Sequence, residues 1–210
     1  QSNDFALAYS SFDRSRILPI AGVHALRVED AEATVDRLAD SGFVALKIHP
    51  PHQGYAANAY LHGLDALRRV YARAEERSLP VMIHTGTSVF PGARCRLGNP
   101  IDVDDVAVDF PRLPIILAHG GRPLWYDEAF FVVRRHPNVR LDLSGIPTRK
   151  LPEVLPRLPD LGDRVLWGSD WPGPGVSDLR TNIDRFLALP FPDDWKERVL
   201  TSNSRALFPD

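Results

Sequence analysis

Short apolar runs alternate with longer amphipathic segments along the whole chain, and this alternation limits the fold more than any other feature. The apolar runs are 17–23, 43–49, 81–84, 114–119, 139–144 and 164–168. Each is apolar on both faces, as parallel strands covered by helices must be. Between them lie helical patterns. Asn3 to Arg16 puts Phe5, Ala8, Tyr9 and Phe12 on one predicted face. Glu29 to Ser41 places Val35 and Leu38 at helical spacing and ends before Gly42, where a cap is expected. Tyr60 to Arg77 carries Leu64, Leu67, Val70, Tyr71 and Ala74. Further helices are predicted over 102–110, 125–136, 151–161, 178–189 and 195–207, the third containing three prolines. Six βα units without a linker or repeat make one domain over 1–210. Neither GxGxxG nor GxxxxGK[ST] occurs, which favours an α/β barrel over a nucleotide-binding open sheet.

Several strand ends carry polar side chains, and in an α/β barrel that is the catalytic end. Val165-Leu166-Trp167-Gly168-Ser169-Asp170 ends on a carboxylate, followed by a loop predicted over Pro172 to Gly175. Ile83-His84-Thr85-Gly86 and Leu117-Ala118-His119-Gly120-Gly121 end on histidines. Lys47 and His49 share a strand face by the period of two, as do Asp142 and Ser144. His and Asp are ligands for a divalent metal such as zinc, and a bound metal makes hydroxide available near neutral pH. A single such histidine is usually structural; two with an aspartate at matching positions point to a common site.

Those three endings, with Lys47-Ile48-His49-Pro50 and Asn203-Ser204-Arg205-Ala206-Leu207-Phe208, resemble the amidohydrolase-related (amidohydrolase 2) family of metal-dependent (β/α)8 barrel hydrolases and decarboxylases. The resemblance implies His84 as a metal ligand, His119 as acid/base or ligand, and Asp170 as ligand or general base toward metal-bound water. It implies zinc first and manganese second. It places Lys47 on the fourth strand, as a charge facing the substrate; a lysine reaching to solvent at the barrel rim is the alternative. The family's first strand carries an H-x-H metal pair. None of the seven histidines here forms one. Counted back from the last strand, the first apolar run is the third, and the chain is shorter than the ~250 residues typical of the barrel. The expectation is an incomplete barrel of about six βα units, starting on Gln1 partway into a longer product. Two unpaired strand edges would favour homo-oligomers.

Arg122 is a candidate grip for a substrate carboxylate, with an ion pair to Asp127 or Glu128 as the alternative. Trp125, Tyr126 and Trp171 are candidate cleft aromatics, and Thr87 to Pro100 is a candidate substrate loop. His24, His62 and His136 read as surface or loop residues, and Cys95 as an incidental thiol. One cysteine excludes an internal disulfide and suits a reducing, cytoplasmic setting. A net charge of −2 offers no footprint for nucleic acid or an anionic membrane, and no apolar run is long enough for a membrane helix. The partner expected is a small molecule. The function expected is hydrolysis of a small anionic ester, lactone or amide by metal-activated water. The alternatives are nonoxidative decarboxylation of an aromatic or unsaturated acid, and a truncated, silent domain.

Overall fold

The computed structural model describes residues 2–173, 176 and 178–208. In chain order the elements are α1 (Ser2–Ser10), β1 (Ile20–Gly22), α2 (Ala31–Asp40), β2 (Ala45–Ile48), α3 (Pro50–Gln53), α4 (Asp65–Glu76), β3 (Val81–His84) and α5 (Ile101–Asp109). They continue with β4 (Ile115–Ala118), α6 (Tyr126–Arg135), β5 (Val139–Asp142), α7 (Leu151–Val154), β6 (Val165–Leu166), α8 (Leu179–Leu187), α9 (Asp193–Leu200) and α10 (Ser202–Leu207).

The strands form one parallel sheet in the order β1-β2-β3-β4-β5-β6. Each strand pairs with the next in sequence. A doubly wound sheet reverses its order at a switch point; this one does not, so it is an arc of an α/β barrel. The β4 residues Ile115 to Ala118 are all buried, which explains their apolar character on both faces. Helices seal the outside. Leu67, Val70, Tyr71 and Ala74 of α4 are fully buried, while Arg73 and Arg77 face α2 and pair with Asp36. Asp30 caps α2 by accepting from the Ala33 N–H at 3.0 Å. Gly42, at φ 90°, turns the chain out of it, as the sequence suggested.

Four helical expectations are corrected. The first helix stops at Ser10, and Phe5, Tyr9 and Phe12 are exposed; Ala6 and Leu7 pack on the core instead. Pro156 and Pro159 limit the 151–161 segment to α7 and a 3-10 turn over Leu158–Leu161, since proline supplies no N–H. Tyr60 belongs to a separate 3-10 turn, Ala59–His62, that precedes α4. The last helix is two, broken at Thr201, whose φ and ψ of −135° and −79° are not helical. Nor is the outer edge of β1 bare. The Asn3 amide accepts from the Gly22 N–H at 2.8 Å and donates to the Gly22 carbonyl at 3.0 Å, taking the place of a strand partner. Of the loop expected after Asp170, Pro174 and Gly175 lie outside the described residues.

Candidate active site

A cavity of about 770 Å³ opens at the carboxyl ends of β2 to β6. Its walls include Lys47, His49, His84, His119, Asp142 and Asp170. The parallel register sets the levels: Lys47 lies beside Met82, His84 beside Ala118, and Asp142 beside Leu166. All six expected site residues line this cavity, Trp171 and Arg122 included.

Asp142 and Ser144 grip His119. The carboxylate of Asp142 is buried and accepts the His119 backbone N–H and the Ser144 N–H, each at 3.3 Å, together with the Ser144 hydroxyl. Burial pushes its carboxyl up, and the donors and Lys47 oppose that. His119 Nδ1 is 3.1 Å from the Ser144 carbonyl and 2.9 Å from Ser144 Oγ, whose proton goes to Asp142. Two acceptors therefore fix the imidazole proton on Nδ1 and leave Nε2 with a lone pair. Burial, with Lys47 and Arg122 adding repulsion, lowers the His119 pKa to about 3, so the ring is neutral at physiological pH.

His84 stacks on His49 with ring centroids 3.8 Å apart and meets His119 edge-on at 4.7 Å. Its buried Nε2 has no hydrogen-bond partner among the described residues. Burial, then repulsion from His49, His119 and Lys47, holds it far below the usual imidazole range. His49 is lowered to about 4 by burial, then by His52 and Lys47. Burial brings the Lys47 ammonium down to about 8, against the pull of Asp142 and Asp170.

His119 and Asp170 both adopt positive φ, 70° and 60°, although neither is glycine. Such backbone is costly and concentrates at functional sites. Cis bonds follow closely, at Arg122-Pro123 and Trp171-Pro172. Arg122 pairs with Asp170 at 3.3 Å, not with Asp127 or Glu128 as its alternative reading had it. Two close approaches hold this corner. Gly86, at φ 99°, lies where a Cβ would be 2.2 Å from the Arg122 carbonyl oxygen, and the Thr87 N–H bonds that oxygen at 2.8 Å. Gly168 brings β6 against Asp142, 2.3 Å from where its Cβ would stand. The loop after β3 contributes Thr87, Ser88, Val89 and Phe90 to the cavity wall.

His84 is a fitting metal ligand: neutral, buried and with a free Nε2. Of the rest of the expected trio, His119 is held through Nδ1 to Ser144 with its lone pair on Nε2, and Asp170 is paired with Arg122. Among the described residues no three His, Cys, Asp or Glu side chains surround one point. A complete metal shell is thus not made by these residues.

Sequence reading passed over His49, Asp142 and Ser144 when roles were assigned. Their signal was present in the alternation Lys47-Ile48-His49 and Asp142-Leu143-Ser144. Two other histidines lie outside helices and strands, as expected, but are not free surface groups: His136 is buried and bonded to Asp104 at 2.7 Å, and half-buried His24 lies against the Tyr55 ring with an Nδ1 that has no partner among the described residues. His62 is exposed, as expected.

A sequentially ordered parallel sheet with its polar residues gathered at the strands' carboxyl ends defines an α/β-barrel protein with its candidate site at the usual end of that fold. The Amidohydrolase family model matches residues 3–209, and the chain belongs to that family. Its members are metal-dependent hydrolases. Among solved structures it is similar to an uncharacterized TIM-barrel protein of Bordetella bronchiseptica, with 24% identity and a TM-score of 0.79 over 98% of this chain and 71% of that one. It is similar to a probable 2-pyrone-4,6-dicarboxylic acid hydrolase of Acinetobacter baumannii solved with citric acid bound (16% identity, TM-score 0.72, 99% of this chain and 79% of that one). A third is a 4-oxalomesaconate hydratase of Rhodopseudomonas palustris (19%, TM-score 0.68, 99% and 70%). These likenesses show the fold. No curated protein sequence matches. No helix among the described residues is long and apolar enough to cross a membrane.

Proposed function

We propose that the cleft hydrolyses a small anionic ester, lactone or amide. The observation that carries this reading is the gathering of two cations, Lys47 and Arg122, with two proton-handling groups, His119 and Asp170, around one cavity. The cations would hold the substrate's negative group, Arg122 as a planar donor and Lys47 as a point charge. Asp170, beside Arg122, would accept the proton of the attacking water. His119 would use Nε2 at the leaving group, with Ser144 and Asp142 holding the ring still. Trp171, 57% exposed, would close over the substrate from the rim. A divalent metal, zinc before manganese, would activate water in such an enzyme, and His84 is the ligand this chain offers it. The lone Cys95 supports a reducing, cytoplasmic setting.

The test is a screen of metal-supplemented protein against lactones, esters, amides and aromatic or unsaturated acids, following acid release and carbon dioxide together. Acid release abolished by His119→Asn supports the proposal. Carbon dioxide release from an acid substrate replaces it with the decarboxylase reading. No turnover on any class leaves a silent domain.

A further inference from the structure

Behind Ser169 lies a second cavity, of about 220 Å³, which none of the roles above uses. Its walls include Gly145, Thr148, Arg149, Ser169, Asn182 and Arg185. Arg149 comes from the 3-10 turn Thr148–Lys150 that follows β5, and Arg185 from α8, which packs on that turn. Among the described residues neither guanidinium has an ion-pair or hydrogen-bond partner. Thr148 donates its hydroxyl to Asn182 Oδ1, which leaves the Asn182 amide nitrogen as a further donor. The wall thus joins two cations and several donors to the apolar Ile146, Pro147 and Val176, and among the described residues no carboxylate lines it.

It adjoins the main cleft through shared walls. Ser169 lines both cavities. Gly145 lines the smaller one, and the Arg122 guanidinium lies flat against it: a Cβ there would stand 2.5 Å from Nε and 2.8 Å from Cζ and Nη2. Arg122 therefore stands between the two spaces, with its buried Nε unpartnered. The cationic residues of the smaller cavity thus lie across Ser169 and Gly145 from Arg122.

We propose that this cavity receives a second carboxylate of the substrate, so that the substrate class is a small di- or tricarboxylic acid. One acid group sits at Arg149 and Arg185, and the reacting carbonyl reaches His119 in the main cleft. The inference rests on the anionic-substrate reading above and deepens it. A guanidinium favours a planar carboxylate through bidentate, charge-assisted bonds, and two of them line this cavity.

The test compares binding of glutarate and butyrate, and of inorganic phosphate, to the full chain by isothermal titration. The proteins are wild type, Arg149→Gln/Arg185→Gln and Arg122→Gln, with melting temperatures to confirm folding. Both outer arginines are exposed, so their replacement leaves the core intact. Wild type should prefer glutarate to butyrate, and the double variant should weaken glutarate at least about tenfold while sparing butyrate. Equal loss for both ligands would mean only general charge attraction and would overturn the proposal. So would unchanged glutarate binding in the double variant, or phosphate held at these arginines with glutarate no better than butyrate. Arg122→Gln separates the two levels. If it weakens both acids while the double variant weakens neither, the second cavity fails and the cleft reading stands. If it weakens neither, the cleft reading fails too.

Discussion

Replacing Gly168 by alanine should damage stability and site together, through one contact. The new Cβ would lie 2.3 Å from Asp142 Oδ1 and 2.8 Å from Ser144 Cβ, where ordinary contact begins at 3.4 Å. Something must move by about 1 Å. Asp142 is poorly placed to yield, because its carboxylate is held by the His119 N–H, the Ser144 N–H and the Ser144 hydroxyl. Overpacking a filled interior costs about 1–3 kcal/mol. Losing one buried hydrogen bond to a charged group adds roughly 1.5–3 kcal/mol. The sum is roughly 2.5–6 kcal/mol, and for a chain of this size each kcal/mol lowers Tm by about 2–4 °C. Thermal unfolding followed by circular dichroism should therefore show a fall of at least about 5 °C. Gly22→Ala is the control: its nearest neighbour is Asn3 Oδ1 at 3.6 Å, and its cost should stay within about 0.5 kcal/mol. In an Asp142→Ala background the closest clash disappears and the Ser144 one remains, so the penalty should shrink without vanishing. A Gly168→Ala protein that melts within about 1 °C of wild type, or loses equally in both backgrounds, would refute the claim that Asp142 is locked in place.

Three other outcomes are expected. Asp170→Asn keeps the shape and removes the basicity, so turnover of an identified substrate should fall by at least ~10²-fold with Tm little changed; retained turnover would reduce Asp170 to a partner for Arg122. Metal-free protein should lose stability as pH falls from 6.5 toward 4: His49 and His119 have folded pKa values of about 4 and 3, so the unfolded chain takes up protons first. Denaturant titrations across that range check the sign, and a flat profile would contradict the burial argument. Equilibrium dialysis with zinc and manganese should show less than one tightly held ion per chain, because the described residues bring no three ligands together; stoichiometric binding would require ligands other than those identified.

Local pattern made much of this protein legible before any coordinates. Val81–His84 matches the predicted strand to the residue, and the α4 stripe of Leu67, Val70, Tyr71 and Ala74 is buried as its spacing required. Strand and helix periods are properties of neighbouring residues, so a linear reading recovers them. The same reading places His84, His119 and Asp170 at strand ends, because a barrel's catalytic face follows from the direction of its strands. It fails where partners are distant in sequence. Arg122 had acidic residues five and six positions away, yet its partner is Asp170, 48 positions away. His136 finds Asp104 across 32 positions. The stack of His49 on His84 joins two strands, and the Asp142–Ser144 grip on His119 joins two more. Sequence alone placed His84, His119 and Asp170 at the mouth of the barrel, but also Trp125 and Tyr126, which do not line the cavity. Register and the close packing of adjacent strands decided which of them touch, because side-chain contacts depend on the relative placement of elements that local periodicity does not encode.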